Sequence, residues 1–397
     1  MFSKRHRFDV KIAKMKTVAY YITAHGYGHG TRSCDVLRAL HRLDPEQPVI
    51  VTTDLPRDFL NSRLNGCDNL TFRKGAFDVG LVQKDSIQSD LFQTLEKLEA
   101  LYAREEELIE QERRFIVEHN IAVVVADIPA IPLAAAQRAG IPNIAIGNFS
   151  WDWIYADYAK DNSRWNFFAE KFRAAYAKTD LLLRLPFAPP MKQFPNRKDI
   201  PLLASPGTAR RYEIRNLMLE TGKSASNPCH STPDTRHSSP QANKPWVLLS
   251  FTSLDLSFHA LENIRALSDR YEFFCVEPLQ FENSCIHSIS RSAVSFADIL
   301  ASCDIVISKP GFGLVSECVV NRKPLIYSDR GDFAEYPYLV EGIEKHLRNV
   351  HIPSTQLYAG DFFQCLEKIQ SAPEPKEQLP SGGAELIAKE IMRFSQP

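Results

Sequence analysis

The sequence predicts an α/β protein of two doubly wound, Rossmann-like domains facing each other across a cleft. Two successive sets of β-rich runs and amphipathic helices carry that expectation, with a polar break at Thr221–Lys244 between them. Length is the third observation, since 397 residues exceed what one hydrophobic core usually organises.

The first set opens with a β-rich run, Thr17–Thr23, and a glycine-rich turn, His25–Gly30. A helix is expected from Thr31, with Val36, Leu37, Leu40 and Leu43 on one face. Val49–Thr53 reads as a second strand. Ile87, Leu91, Leu95, Leu98 and Tyr102 recur at helical spacing, and helix with a break is expected to Glu118. Ile121–Ala126 is apolar at every position, the mark of a strand covered on both faces, and it ends at Asp127. A helix over Leu133–Ala139 stops at Gly140 and Pro142, and Ile144–Ile146 opens another strand.

Thr221–Lys244 is rich in Ser, Pro, Asn and Thr and is expected to be a disordered loop within a second domain over 196–380. That domain has expected strands at Trp246–Phe251, Tyr271–Val276, Ile305–Ser308 and Pro324–Ser328. Helices are expected at Phe258–Ser268, Phe296–Ser302 and Leu314–Asn321. The first domain is expected over 16–195, preceded by a disordered tail over 1–15 with Met15 as a candidate start. That basic tail has no apolar core and is not a secretory signal.

Composition excludes several classes. The net charge of −1 gives no global attraction to nucleic acid or to an anionic membrane. No run approaches the roughly 18 apolar residues of a membrane span. Eight cysteines form no C-x-x-C pair, which argues against a zinc site or a disulfide framework and for a reducing cytoplasm. No metal site and no cofactor are expected.

Four segments carry candidate chemistry. In the first, Gly26, Gly28 and Gly30 follow a strand, so the backbone can approach a ligand at a helix start. His25 and His29 in that turn can take a proton from a hydroxyl near neutral pH. The plainer alternative is a tight turn with capping histidines; Asp127 is then the next candidate base. In the second segment, Ser308-Lys309-Pro310-Gly311-Phe312-Gly313 leads into a helix bearing Ser316 and Glu317. Its amides suit a diphosphate and Glu317 suits ribose hydroxyls, unless Glu317 only complements the helix dipole. The third segment, Gly147–Tyr158, places five aromatics in ten residues, Phe149 to Tyr158, and includes Asn148, Trp151 and Asp152. Aromatic faces pack on sugars, though a core cluster is the simpler reading. The fourth, Asp329–Pro337, sets Arg330, Asp332 and Glu335 at a strand's carboxyl end, where they meet either a sugar's hydroxyls or only solvent.

Together these segments resemble GT-B-fold glycosyltransferases, in particular the glycosyltransferase-like N-terminal region of L-arabinokinase and its stand-alone bacterial relatives. The resemblance covers nearly the whole chain from Met15, and Asn148–Tyr158 is its most specific part. It implies transfer of a sugar from a UDP-, GDP- or TDP-linked donor to an acceptor hydroxyl, with inversion and without a metal. His29 then matches a glycine-loop histidine and Glu317 the acidic residue on the donor ribose. Asp332 and Glu335 match positions facing the donor sugar, while Gly26, Gly28, Gly30, Asn148, Trp151 and Asp152 lie on the acceptor side. The final helix, Ala384–Met392 within 381–397, resembles the family's helix that crosses back to the first domain. One departure is the turn Ser250–Asp255, which lacks the usual glycines; Thr252 and Ser253 offer hydroxyls instead. No sugar-kinase signature is present, so arabinose phosphorylation is not implied. Two other functions share these residues: a sugar-nucleotide 2-epimerase or hydrolase, and a non-catalytic sugar-nucleotide sensor.

Overall fold

The computed structural model describes residues 16–82, 89–222, 244–331 and 333–396. The expected N-terminal tail, nearly all of the expected loop at 221–244, and Asp332 lie outside the described residues.

The first half runs β1 (Thr17–Ile22), α1 (Tyr27–Leu43), β2 (Val49–Thr52), α2 (Arg57–Leu64), β3 (Leu70–Arg73), α3 (Leu91–Tyr102), α4 (Glu105–Glu118), β4 (Ile121–Asp127), α5 (Ala130–Ala139), β5 (Asn143–Gly147), α6 (Trp151–Tyr158), α7 (Arg164–Tyr176), β6 (Leu181–Arg184) and β7 (Arg197–Asp199). The second half runs α8 (Arg211–Gly222), β8 (Trp246–Leu249), α9 (Phe258–Arg265), β9 (Glu272–Val276), β10 (Ile286–Ile289), α10 (Phe296–Ser302), β11 (Ile305–Ser308), α11 (Phe312–Val320), β12 (Leu325–Ser328), α12 (Tyr336–His346), β13 (Asn349–Ile352), α13 (Ser354–Tyr358), α14 (Phe363–Ser371) and α15 (Gly383–Ser395).

The strands form two parallel sheets, ordered β3-β2-β1-β4-β5-β6-β7 and β10-β9-β8-β11-β12-β13. In each, the order reverses beside the first strand, between β1 and β4 and between β8 and β11. Helices leave the two strands at such a point toward opposite faces, and a crevice opens at their carboxyl ends. β1 shows why the centre is dry. Val18, Tyr20 and Ile22 enter one apolar cluster, while Ala19 and Tyr21 enter another on the opposite face. β4 divides in the same way, with Val123 and Val125 against Val124 and Ala126.

The expected alternation is present, with one correction that matters for the site. The first helix starts at Tyr27 rather than Thr31, so Gly28, His29 and Gly30 are helical. Gly26 caps it at φ 104°, a conformation a side chain would strain, and the turn is thereby complete before the helix begins. The long helical stretch divides at Ala103–Arg104 into α3 and α4. The short or polar strands β3, β6, β7, β10 and β13 carry too little alternation to stand out in the sequence.

The final helix packs on α1 and β4. Ile387 and Ile391 are fully buried in a cluster that also holds Leu37 and Leu40 of α1 and Val315 of α11. Each such side chain contributes on the order of 1.5–3 kcal/mol of burial. Arg42 and Glu385 pair nearby on the surface, 2.9 Å apart and both more than half exposed. The docking is therefore apolar in origin. Ile391→Ala is expected to destabilise the protein by about 2–5 kcal/mol, and Arg42→Ala by no more than about 1 kcal/mol. Urea midpoints of the two variants check this; equal midpoints would mean that the helix is not part of the cooperative core.

Candidate functional site

The carboxyl ends of the two sheets face one cavity of about 480 Å³. β1 delivers His25 and the start of α1, with Gly26, Gly28, His29 and Arg32; β5 delivers Asn148 and Trp151. From the other sheet come Thr252 after β8, Lys309 and Gly311 to Gly313 after β11, and Arg330 and Glu335 after β12. Twelve of the sequence-predicted site residues therefore line one cleft: His25, Gly26, Gly28, His29, Asn148, Trp151, Thr252, Lys309, Gly311, Gly313, Arg330 and Glu335.

The others lie elsewhere. Asp127 is fully buried behind His29. Gly30 faces Leu55, just before α2, and Phe59 within it; an added Cβ would come within 2.6 Å of the first and 2.7 Å of the second. Asp152 is buried and accepts from Gln193 at 2.8 Å. Ser316 is buried, its hydroxyl without a hydrogen-bond partner among the described residues. Ser253 does not line the cleft, and Glu317 faces a second cavity together with Asp35, Arg63 and Arg291.

Asp127 organises the floor. Arg32 donates through Nε to its Oδ2 at 2.7 Å and through Nη2 to its Oδ1 at 2.5 Å. Ser33 Oγ donates to Oδ2 at 3.1 Å. His29 Nδ1 stands 2.8 Å from Oδ1. Burial alone would raise the Asp127 pKa, but Arg32 and His29 hold it well below the usual carboxylate range. An ionised carboxylate only accepts, so the proton in the His29 contact belongs to Nδ1, and Arg32 Nη2, 2.9 Å from that nitrogen, packs beside it rather than donating to it. Nε2 is then the unprotonated nitrogen of a neutral ring. Burial and the Arg32 charge both lower the His29 pKa, with Asp127 opposing them.

His25 has a relay of its own. Its Nδ1 lies 2.7 Å from Thr23 Oγ1, which donates to Asp78 Oδ1, also at 2.7 Å. Thr23 has a single proton and gives it to Asp78, so His25 supplies the proton of the first contact. Trp151 Nε1 donates to the other Asp78 oxygen at 3.2 Å and meets the His25 ring edge-on at 4.9 Å. Burial raises Asp78 to about 6, and burial followed by the His29 and Arg32 charges lowers His25. The two imidazoles stand 4.7 Å apart.

A polar bridge joins the two halves. Arg32 Nη1 donates to Asn148 Oδ1 at 2.9 Å, and Asn148 Nδ2 donates to Glu335 Oε1 at 2.6 Å. Arg330 lies 3.7 Å over Phe333 and donates to the Pro310 carbonyl at 3.0 Å. Neither α1 nor α11 has a side-chain N-cap hydrogen bond. Their starts meet closely: a Cβ on Gly313 would lie 3.9 Å from Gly28 Cα. Two helix ends with open N–H groups thus converge beside Lys309 and Arg330, a field suited to an anion.

No protein-family profile matches the chain. Solved structures do. The glycosyltransferase UGT89C1 of Arabidopsis thaliana aligns over 96% of this chain and 100% of its own at 13% identity, with a TM-score of 0.59. CalG4, the calicheamicin glycosyltransferase, aligns over 96% and 94% at 13% identity and 0.55. SnogD from Streptomyces nogalater aligns over 96% and 95% at 14% identity and 0.52. This chain has the GT-B fold. In sequence it is similar to the L-arabinokinase of Arabidopsis thaliana, 28% identical over 388 residues that make up 96% of this chain. The chain spans about a third of that relative, 34% of its length.

Within the GT-B frame, sequence reasoning missed Arg32, Thr23, Asp78, Arg291 and Phe333. Arg32 follows the glycine-rich turn by two residues, but its target is 95 residues away. Asp78 lies in a stretch with no periodic signal. Asp127→Ala leaves the Arg32 guanidinium buried and unpaired and is expected to destabilise by about 3–5 kcal/mol. His29→Ala removes no charge partner of comparable weight and is expected to cost under half of that. Guanidinium unfolding at pH 7 measures both; similar costs would contradict Asp127 as the organising group.

Proposed function

We propose that the protein transfers a sugar from a nucleoside diphosphate sugar to an acceptor hydroxyl. One observation carries the reading. The neutral His29, backed by Asp127, faces the open N-terminus of α11 and two cations across a single cleft. A base on one wall and an anion site on the other are what such a transfer requires. UGT89C1 has been solved with UDP, with UDP-L-rhamnose and with quercetin, which supports a nucleotide sugar as the donor here. The GT-B fold and the arabinokinase similarity are compatible with that reading, and neither fixes the activity.

In the proposed reaction, the acceptor oxygen attacks the anomeric carbon and its proton passes to His29 Nε2. The bond from that carbon to the diphosphate oxygen breaks, and the electron pair leaves with the diphosphate. The α11 amides, Lys309 and Arg330 take up that charge, so no metal is invoked. Attack opposite the leaving group inverts the anomeric centre. Asn148 and Trp151 face the acceptor, and Glu317 holds the ribose. The division into an acceptor-side half, 16–195, and a nucleotide half, 196–380, belongs to the same proposal.

His29→Ala is expected to lower turnover by about 10²–10⁴-fold, with donor affinity near wild type. The pH dependence follows from the lowered His29 pKa. The base works only when neutral, so kcat at saturating donor stays level from pH 8 to about 6.5, the ordinary histidine value, and declines at lower pH as the ring protonates. Release of nucleoside diphosphate from UDP-, GDP- and TDP-sugars with a panel of acceptors measures both. Full turnover in His29→Ala with loss in His25→Ala would move the base to the Thr23–Asp78 relay. Sugar release without any acceptor would identify a hydrolase, and an epimerised nucleotide sugar a 2-epimerase. Tight binding of a nucleotide sugar with no turnover would identify a sensor.

A further inference from the structure

The proposed transfer needs one base, yet the cleft holds two supported histidines. The His25 ring is confined on several sides. Gly80, at φ 67°, passes so near that a Cβ there would overlap the ring. Trp151 meets it edge-on at 4.9 Å, and the His29 ring stands 4.7 Å away. Thr23 settles its tautomer: having given its proton to Asp78, it can only accept from His25 Nδ1. Desolvating the Asp78 carboxyl costs free energy. A tight turn alone would not require that support, since Gly26 already completes it.

Both Nδ1 atoms are engaged with the protein, so each neutral ring offers an unprotonated Nε2. Among the described residues neither Nε2 has a hydrogen-bond partner, and both histidines line the cleft cavity. An unprotonated imidazole nitrogen accepts and cannot donate. Two of them side by side suit a ligand with two donors close together. Charge narrows the kind of donor. Arg32, Arg291, Lys309 and Arg330 line the same cavity, against Glu335 as the lining carboxylate among the described residues, with Asp127 behind Arg32. That field opposes a cationic amine and leaves neutral hydroxyls. With hydrogen bonds of about 2.8 Å, rings 4.7 Å apart reach hydroxyls on neighbouring carbons rather than at distant ends of a molecule.

We propose that the acceptor is a vicinal diol, one hydroxyl giving its proton to His29 while its neighbour donates to His25 Nε2. This rests on the glycosyl-transfer reading and names the acceptor class for it. As the proton passes to His29, the imidazolium formed there makes a second proton on the adjacent ring costly, so His25 stays an acceptor through the step. A diol held at two points is fixed in rotation as well as in position, and the attacking oxygen stays aimed at the anomeric carbon. Thr23 and Asp78 touch no substrate. They are positioning residues that keep His25 in the tautomer that accepts.

Matched acceptors test this, with turnover of the full chain followed at pH 8, above the Asp78 value of about 6. The pairs are vicinal cyclohexanediols against cyclohexanol, catechol against phenol, and any accepting sugar against its singly deoxygenated forms. The donor is whichever UDP-, GDP- or TDP-sugar the wild type uses. Wild-type kcat/KM is expected to favour the diol by at least about tenfold, the scale of one hydrogen bond at a site built for it, with most of the difference in KM. His25→Phe keeps a ring against Trp151 without an acceptor nitrogen, and its ratio is expected to fall close to one. His25→Gln keeps an acceptor oxygen and is expected to restore part of the preference. Equal use of both members of each pair by the wild type would overturn this inference and leave glycosyl transfer standing. A preference undiminished in whichever of the two variants folds would overturn it as well, placing the partner of the second hydroxyl elsewhere. Loss of turnover in His25→Phe with diol and single alcohol alike would overturn it by making His25 the base. Failure of every acceptor with every donor would remove the glycosyl-transfer reading and this one with it.

Discussion

The Asp127 carboxylate is the constraint on which the site depends. It is fully buried at the end of a central strand, where a lone negative charge is untenable. Arg32 makes it tenable, and Ser33 and His29 complete its shell. The same guanidinium continues to Asn148 and through it to Glu335, so one buried anion fixes the histidine, the end of β5 and the rim of the opposite sheet. The cost of burying the charge is met by interactions that position a reactive group.

The topology explains why these residues can meet. Both sheets reverse their strand order beside their first strand, and both present that reversal to the same cleft. Each reversal sends a helix away with its amides facing inward. α1 and α11 thus point two partial positive charges at one space, and neither has a side chain to cap it. The two helix starts come near each other at Gly28 and Gly313, where a Cβ on Gly313 would lie 3.9 Å from Gly28 Cα.

The two histidines are alike in residue type and differ in support. His29 leans on an ionised carboxylate through a direct contact, whereas His25 reaches Asp78 only through Thr23. Burial keeps both rings neutral near pH 7, and it also lifts Asp78 toward that range. A proton placed on one ring raises the cost of a second on its neighbour 4.7 Å away. The pair therefore carries at most one additional charge at a time near neutrality.

Much of this protein is determined locally. The apolar runs of β1, β4, β8 and β11 read as buried strands because nearly every residue faces a core, and the turns after β1 and β11 read as ligand-facing because they are rich in glycine. That sufficed for the two-sheet architecture and for twelve residues of the cleft. The helix start at Tyr27 was not legible, because Gly28 and Gly30 disfavour helix on their own and hold it only through packing on α2 and α11. Partnerships over long separations were hidden as well: Arg32 with Asp127, Thr23 with Asp78, Asn148 with Glu335. So was the placement of Glu317. Its position on α11 suggested the cleft, but a helix turns about 100° per residue, and its face lies toward Asp35 and Arg63 instead. Sequence determines which residues end each strand; which of them share a cavity depends on how the two sheets and their helices pack.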